Sequence, residues 1–106
     1  MKLALFSDIH ANLPALEAFF TQLESVQPDG VYCLGDVVGY CVWPNEVINV
    51  IRKKHIPTLA GNHDAVVGLP TNSPSGVFTN SVIGASEKAY VLSLPAHIRL
   101  EFQLSG

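Results

Sequence analysis

Three short apolar runs, each followed at once by acidic or amide side chains, constrain the fold of this chain more than any other feature. The runs are residues 2–6, 31–34 and 56–60. Runs of this length that are bounded by turn residues are typical of buried strands. Between them lie two segments with the length and composition of helices, residues 13–27 and 45–54. This order predicts an α/β fold that starts as βαβαβ, with a mainly parallel sheet and right-handed crossovers.

The two helical segments carry signals of their own. Asn12 is a favourable N-cap, and Pro14 suits the first turn of a helix. The first helix is predicted to bury one stripe, formed by Leu13, Leu16, Phe20 and Leu23. The second helix ends in basic residues, which complement the negative end of the helix dipole.

The rest of the chain has a weaker pattern. Residues 69–76 are rich in Pro, Ser, Thr and Asn, which predicts a loop. Residues 77–93 have helical character, with a predicted buried stripe at Val82, Ala85, Ala89 and Leu92. Apolar and polar residues alternate over residues 98–104, which predicts a half-exposed strand.

Polar side chains follow each of the three predicted strands. They are Asp8, His10, Asp36, Asn62, His63 and Asp64. Because ligands bind at the carboxyl ends of the strands in open α/β sheets, we expect these side chains to converge in space. The sequence therefore predicts one site that is built from three separate segments.

The residue types at these positions suit metal ions. Residues two apart on an extended segment point to one side, so Asp8 and His10 are predicted to hold one ion together. Asp36 adds a carboxylate that can bridge two ions, and Asn62 adds an amide oxygen. Mixed oxygen and imidazole ligands suit manganese, iron, zinc, cobalt or nickel. Two such ions can clamp a phosphate and activate water.

Other polar and aromatic residues have simpler structural interpretations. Asn12 is a helix cap, His55 and His97 lie at a helix end and in a turn, and we give none of the three a role in catalysis. Cys33 is interpreted as a small core residue. Tyr40 and Trp43 either line a substrate pocket or pack against the domain.

The charge pattern excludes some functions. The net charge is −3, and charged residues make up only 14% of the 106 residues. The sequence contains no basic run and so gives no strong signal for nucleic-acid binding. An acidic protein that handles an anionic substrate usually needs metal ions to supply positive charge, in agreement with the predicted site.

The sequence also bears on location. No apolar run approaches the length of a membrane span, and the first run is too short for a signal peptide. Cys33 and Cys41 are the two cysteines, and they form neither a disulfide framework nor a zinc motif. We therefore expect a cytoplasmic protein in a reducing compartment, with no membrane partner.

The apolar content predicts a partner surface. Hydrophobic residues make up 48% of the chain, which is high for a domain with so few charges. We expect part of the outer surface to be covered, either by a second copy in a homo-oligomer or by further polypeptide that completes the fold.

Three motifs at these strand ends resemble those of a known family. They are similar to the first three motifs of the calcineurin-like metallophosphoesterases: Ser7-Asp8-Ile9-His10, Gly35-Asp36-Val37-Val38-Gly39 and Gly61-Asn62-His63-Asp64. The small bacterial and archaeal phosphodiesterase branch of that family is also similar at Ala11-Asn12-Leu13-Pro14 and Pro44-Asn45-Glu46-Val47. The resemblance is strong over residues 1–64 and loose over residues 65–106.

This resemblance implies a fold and a reaction. The family fold has four layers, α/β/β/α, and residues 1–106 would form its N-terminal half as a partial domain. The implied activity is hydrolysis of a phosphodiester or phosphomonoester in a small phosphorylated substrate, by water that two divalent metal ions activate. Manganese is the first expectation for these ions, and iron, zinc, nickel or cobalt are alternatives.

The resemblance also implies residue roles. Asp8 and His10 would bind the first metal, Asp36 would bridge both metals, and Asn62 would bind the second. The catalytic residues would be His63 and Asp64.

His63 would stabilise the transition state or act as a general acid, with Asp64 orienting it. Two small departures from the family pattern are Ala11 and Cys41, where the family often has glycine. A larger departure is that the family takes its remaining three metal ligands from later histidine motifs, and His97 is not in such a context.

Two other interpretations stay open. The chain could be a truncated, non-catalytic homologue that works as a binding or oligomerisation module. A phosphatase with an aspartyl nucleophile is disfavoured, because that class needs a second Asp where this chain has His10.

Overall fold

A computed structural model of the protein describes residues 1–103 and has a mixed α/β architecture. Two short strands, β1 (Leu3–Phe6) and β2 (Gly30–Cys33), pair in parallel. Helix α1 (Leu13–Val26) connects them. Because parallel neighbours need such a crossover, the predicted α/β fold with parallel strands is confirmed.

The first two helices form close to their predicted bounds. The Asn12 side-chain oxygen accepts the N–H of Ala15 at 3.1 Å, so Asn12 caps α1 as predicted. Helix α2 (Pro44–Lys53) begins one residue earlier than predicted, because a proline in the first turn has no N–H to leave unpaired. Helix α2 packs against α1 with a buried face of Val47, Ile48 and Ile51.

The third predicted strand, residues 56–60, is reduced to one parallel bridge between Cys33 and Thr58, which corrects the predicted βαβαβ start. The N–H of Cys33 donates to the Pro57 oxygen at 3.0 Å, and the N–H of Leu59 donates to the Cys33 oxygen at 2.9 Å. A longer ladder would need a donor at Pro57, which has no N–H. The segment still runs beside β2 and delivers the next loop to the same edge of the sheet.

The second half of the described chain is helical. It forms three short helices: α3 (Asn62–Ala65), α4 (Pro74–Val82) and α5 (Ala85–Leu92). The loop predicted over residues 69–76 is shortened, because Ser73 caps α4 by accepting the N–H of Gly76 at 3.0 Å.

The buried stripe predicted for residues 77–93 is wrong. Val82 and Leu92 are exposed, and Thr79 and Val91 are buried instead. The chain leaves the helical conformation between α4 and α5, so one helical phase cannot hold across both helices.

The half-exposed strand predicted for residues 98–104 is not found in residues 98–103, which have no regular structure. Its last position, Leu104, lies outside the described residues. The apolar side chains of this segment are exposed: Ile98, Leu100 and Phe102. A strand forms only where another strand pairs with its backbone, and within residues 1–103 none pairs with this segment.

The core lies between the sheet and the helices. Its completely buried side chains include Leu16, Val37, Val47, Ile48 and Ile51. Phe6 of β1 joins this core, whereas Leu3 and Leu5 point to the opposite face of the strand and are 41% and 56% exposed. One face of the sheet is therefore uncovered by residues 1–103.

Within residues 1–103, every helix is too short or too polar to cross a membrane.

Candidate metal centre

The loop after β1 lies directly against the loop after β2. Three hydrogen bonds join them: Asp8 N–H to the Gly35 oxygen at 3.0 Å, His10 N–H to the Asp36 oxygen at 3.0 Å, and Ala11 N–H to the Val37 oxygen at 2.7 Å. We refer to residues 8–11, 35–38 and 61–64 together as the site loops. Because the backbones of the first two loops bond to each other, the side chains that these two loops carry have fixed relative positions.

The ligand-type residues of the first two loops have a strained backbone. The φ angles of Asp8, His10 and Asp36 are 58°, 50° and 55°. This left-handed conformation costs about 1–2 kcal/mol for a residue other than glycine. The extended geometry predicted for residues 8–10 is therefore wrong, and a tight turn places Asp8 beside His10 instead. Strain of this kind is concentrated at functional sites.

Asp8, His10 and Asp36 each offer one ligand atom, and these three atoms lie within 4.8 Å of one another. The His10 Nδ1 atom lies 3.0 Å from the Val38 carbonyl oxygen, which can only accept, so Nδ1 carries the proton. In the neutral ring Nε2 then keeps its lone pair, 3.2 Å from Asp8 Oδ1. A histidine that binds a metal through one ring nitrogen usually donates the N–H of its other ring nitrogen to an acceptor such as a backbone carbonyl.

Asp8 is the more exposed partner of this pair, with 61% of its side chain exposed against 17% for His10. The Ser7 hydroxyl donates to Asp8 Oδ2 at 2.6 Å, and this bond lowers the pKa of Asp8, partly offset by desolvation. The carboxylate therefore stays ionised to lower pH, and the ionised form is the one that binds cations.

The third loop joins the site at Asp36. The N–H of His63 donates to Asp36 Oδ1 at 2.9 Å. The Gly61 backbone passes so close to Asp36 that a Cβ atom at position 61 would overlap this carboxylate. Only glycine leaves room for that approach, so the third loop contacts the Asp36 side chain directly.

Asp64 holds the second and third loops together from the buried side. Its Oδ1 atom accepts the N–H groups of Val37 at 2.9 Å and Val38 at 3.2 Å, and its Oδ2 atom accepts that of Gly61 at 2.9 Å. Burial raises the pKa of Asp64, and the amide bonds oppose that rise. Since this carboxylate bonds to backbone amides, its predicted influence on the orientation of His63 would act through the backbone.

Three aromatic rings close one side of the centre. The ring centroids of His10, Tyr40 and His63 lie 4.8–4.9 Å apart in each pair. Gly39 has a φ of 99°, and a Cβ atom there would lie 2.5 Å from His63 Nδ1. From the sequence, Tyr40 either lined a substrate pocket or packed against the domain. It directly follows the motif that contains Asp36, and that position could have indicated that its ring lies beside the site.

Asn62, the predicted ligand of a second metal, is the first residue of α3 and is exposed. Among residues 1–103 no hydrogen bond joins its side chain to Asp36, although the neighbouring His63 makes one through its backbone. The structure thus brings Asp8, His10 and Asp36 together, and Asn62 is the chain neighbour of His63, whose N–H bonds to Asp36. Their role in metal binding stays a prediction.

The donor set fits a divalent transition metal. Two carboxylates and one neutral imidazole, from Asp36, Asp8 and His10, are the ligand types that manganese, iron and zinc share. The two carboxylates would also neutralise the charge of one divalent ion. The part of the chain that the structure describes therefore contains a group of side chains suited to a metal.

Two residues set aside on sequence grounds have surroundings that agree with that choice. Cys33 is buried, and burial raises the pKa of its thiol to about 11. A thiol with such a pKa is neutral near pH 7 and a poor nucleophile. His97 is exposed and outside the site loops.

Comparison with known proteins agrees with the motifs and the fold. The calcineurin-like phosphoesterase family model matches residues 1–103. An uncharacterized protein from Methanocaldococcus jannaschii is 42% identical over 62 residues, which are 58% of this chain and 26% of that protein. The crystal structure of a metallophosphoesterase from Sphaerobacter thermophilus is 32% identical, with a TM-score of 0.73 over 90% of this chain and 42% of that one.

The chain thus spans about a quarter of the length of the first relative and about two fifths of the second. The family match extends over the strand ends that carry the site loops. The chain belongs to the calcineurin-like phosphoesterase family.

Proposed function

We propose that this chain supplies the first half of the active site of a metal-dependent phosphoesterase. The observation that carries the proposal is the convergence of Asp8, His10 and Asp36 at one edge of the sheet, with ligand atoms within 4.8 Å of one another. The substrate would be a small phosphodiester or phosphomonoester. The family match supports this reaction class, and the remaining ligands would come from other polypeptide.

Within this proposal the residues have distinct tasks. Asp8 and His10 would hold a first divalent ion, Asp36 would bridge two ions, and Asn62 would turn its amide oxygen to the second. Bound divalent ions would neutralise the phosphate and lower the pKa of water. Manganese is our first choice, with iron, zinc, nickel and cobalt as alternatives, because the oxygen-rich ligand set suits each of them.

We propose that His63 acts on the phosphate itself. Its backbone is bonded to Asp36, and its ring lies 4.9 Å from the ring of His10. An imidazole at this distance from the metal ligands can donate a hydrogen bond to a phosphate oxygen or protonate a leaving group. Asp64 would keep His63 in place by fixing the loop that carries it.

The test compares two variants at Asp36 with one at Asn62. In the full-length protein with added manganese, hydrolysis of an aryl phosphodiester should fall by more than about 100-fold in Asp36→Asn, since even outer-sphere metal partners cost 10–100-fold. Asn still accepts the His63 N–H but cannot bridge two cations as a carboxylate does. Asp36→Ala should lose at least as much activity, and Asn62→Ala less.

The control is Asp29→Asn, which changes an exposed carboxylate that is bonded to the Lys2 N–H outside the site. It should keep full activity, and a chelator should abolish activity in every variant. Equal turnover by wild type and Asp36→Asn would refute the proposed role of Asp36.

We also propose that the uncovered face of the sheet binds further polypeptide. Leu3, Leu5 and Leu34 are exposed there or at its edge. The occupant would be the remainder of the family fold or a second copy of the chain. Light scattering on residues 1–106 should then show self-association, and metal titration should show weak binding. A monomer that binds two metals and turns over substrate would contradict this.

The alternative of a non-catalytic binding module rests on that same uncovered face. The absence of turnover in the full-length protein, with metal binding intact, would favour it. We further expect the protein to work in the cytoplasm, and localisation of a tagged full-length protein tests that expectation.

A further inference from the structure

The imidazole ring of His63 makes no hydrogen bond in the described part of the chain. The bond that ties this residue to Asp36 comes from its backbone N–H. Asp64, the next residue, bonds to three backbone amides of the site loops and not to the His63 ring. Since a side chain with two rotatable bonds has several staggered positions, neither of these bonds sets the orientation of the ring.

The ring of His10 is held differently. Its Nδ1 atom lies 3.0 Å from the Val38 oxygen, and its Nε2 atom lies 3.2 Å from Asp8 Oδ1. The two histidines of the centre therefore differ: hydrogen bonds fix the ring of His10, and packing alone orients the ring of His63.

Tyr40 supplies much of that packing. Its ring centroid lies 4.8 Å from that of His63 at an interplanar angle of 57°, and the His10 ring contacts His63 at 4.9 Å and 73°. Such tilted and edge-on contacts are favourable arrangements of aromatic rings. The backbone of Gly39 lies on the Nδ1 side of the His63 ring, where a Cβ atom would be 2.5 Å from Nδ1. The ring thus lies among Tyr40, His10 and Gly39.

The backbone around Tyr40 is bonded to the first site loop. The N–H of Cys41 donates to the His10 oxygen at 3.1 Å, and that of Trp43 donates to the Ala11 oxygen at 3.1 Å. Tyr40 itself has a φ of 63°, an unfavourable conformation for a residue with a side chain, and it is 66% exposed. A strained and exposed aromatic residue contributes little to the core, and strain of this kind is concentrated at functional sites.

We infer that Tyr40 is a positioning residue, whose ring holds the His63 imidazole in the orientation from which it acts on the phosphate. The inference rests on the proposed phosphoesterase function. It goes further in naming a residue outside the site loops and in assigning the orientation of the His63 ring to Tyr40 and not to Asp64.

Turnover of an aryl phosphodiester by the full-length protein with manganese tests the inference. Tyr40→Leu should lower kcat by about tenfold, because an aromatic pair is worth up to about 1.5 kcal/mol, a factor of about ten in rate. KM and the affinity for manganese should not change, since His10 keeps both of its hydrogen bonds. Tyr40→Phe keeps the ring and should retain the turnover of wild type; a loss as large as that of Tyr40→Leu would overturn positioning by the ring.

A double-mutant cycle shows whether Tyr40 acts through His63. In a His63→Ala background, Tyr40→Leu should cause no further loss, because a positioning residue has no effect without the side chain that it positions. The control is Val42→Ala, an exposed change in the same loop that alters none of the ring contacts and should match wild type. A full additional loss in the His63→Ala background would show that Tyr40 acts on another group, and would overturn the inference.

Nuclear magnetic resonance on the metal-free, full-length protein follows the ring without relying on turnover. Wild type should show nuclear Overhauser contacts between the ring protons of His63 and His10, whose centroids lie 4.9 Å apart. Tyr40→Leu should weaken these contacts and keep those between the His10 ring and Val38. Equal unfolding curves would show that the variant folds.

The outcomes separate the two proposals. Turnover by wild type with an unchanged kcat in Tyr40→Leu overturns the role of Tyr40 and leaves the proposed function standing. Weakened contacts between His63 and His10 in Tyr40→Leu, without turnover by wild type, support the positioning of the ring and overturn hydrolysis. Unchanged contacts together with no turnover overturn both.

Discussion

The site loops and the segment of residues 66–83, which we call the wall, are held together in different ways. The first two site loops bond to each other backbone to backbone, and the Asp36 and Asp64 carboxylates hold the third. Val37 of the second loop packs in one core with the completely buried Val47 and Ile48. The wall, residues 66–83, is joined mainly through amide side chains such as Asn45 and Asn80, and few of its side chains are buried.

This difference matches the demands of the two regions. Metal ligands need fixed positions, and a backbone ladder over a dense core supplies them even at strained φ angles. The wall has few buried side chains, and elements with few buried contacts open at low cost in free energy. We expect the site loops to resist local opening and the wall to yield first.

The largest expected effect comes from Asp64→Ala, which would leave the N–H groups of Val37, Val38 and Gly61 buried without their acceptor. Each unpaired group costs about 1–3 kcal/mol, so the free energy of unfolding should fall by several kcal/mol. Chemical denaturation of the full-length protein measures this. Asp29→Ala removes one exposed acceptor and should change stability little; a similar loss in both variants would show that Asp64 does not secure the loops.

The core beneath the site loops gives the next effect. Ile48 is completely buried on α2, and Ile48→Ala should lower the free energy of unfolding by about 2–5 kcal/mol. Val77 on α4 is 52% exposed, and Val77→Ala should cost less than about 1 kcal/mol because exposed sites lose little burial. Equal losses in thermal or chemical denaturation would erase the contrast between the two regions.

The side-chain connection of the wall is tested at Asn45, which donates to the Val82 oxygen at 2.8 Å and accepts the Gly84 N–H at 2.9 Å. Asn45→Ala should cost about 1–3 kcal/mol for these two bonds. Hydrogen exchange should speed up at Gly84 and not at His10. The control is Asn49→Ala, an exposed change on the same helix. Faster exchange throughout the site loops in Asn45→Ala would show that the site loops and the wall do not open independently.

The smallest effect concerns backbone strain at Ala11, which is fully buried with a φ of 59°. Ala11→Gly relieves the left-handed strain but adds backbone entropy and removes a methyl group, so stability should change by less than about 1 kcal/mol. Ala18→Gly, in the middle of α1, lacks that relief and should cost about 1 kcal/mol. A larger loss at Ala11 than at Ala18 would show that the site loops are not strained there.

Much of the first half of this protein is predictable from its sequence. Caps and apolar periodicity placed α1 and α2 within a residue or two, because those signals are local. The strand-end rule also indicated that Asp8, His10 and Asp36 would meet, since parallel strands deliver their carboxyl ends to one edge. The second half was less predictable, because two short helices share a segment whose pattern was treated as one.

By itself, the sequence determined the order of the first four elements, the family motifs and the residue types of the candidate metal centre. These follow from spacing and chemistry along the chain. Only the tertiary structure decided that Asp8 and His10 meet through a left-handed turn and that Asp64 bonds to backbone amides. Such features depend on which distant backbone groups come within hydrogen-bonding distance, and neither periodicity nor motif encodes that.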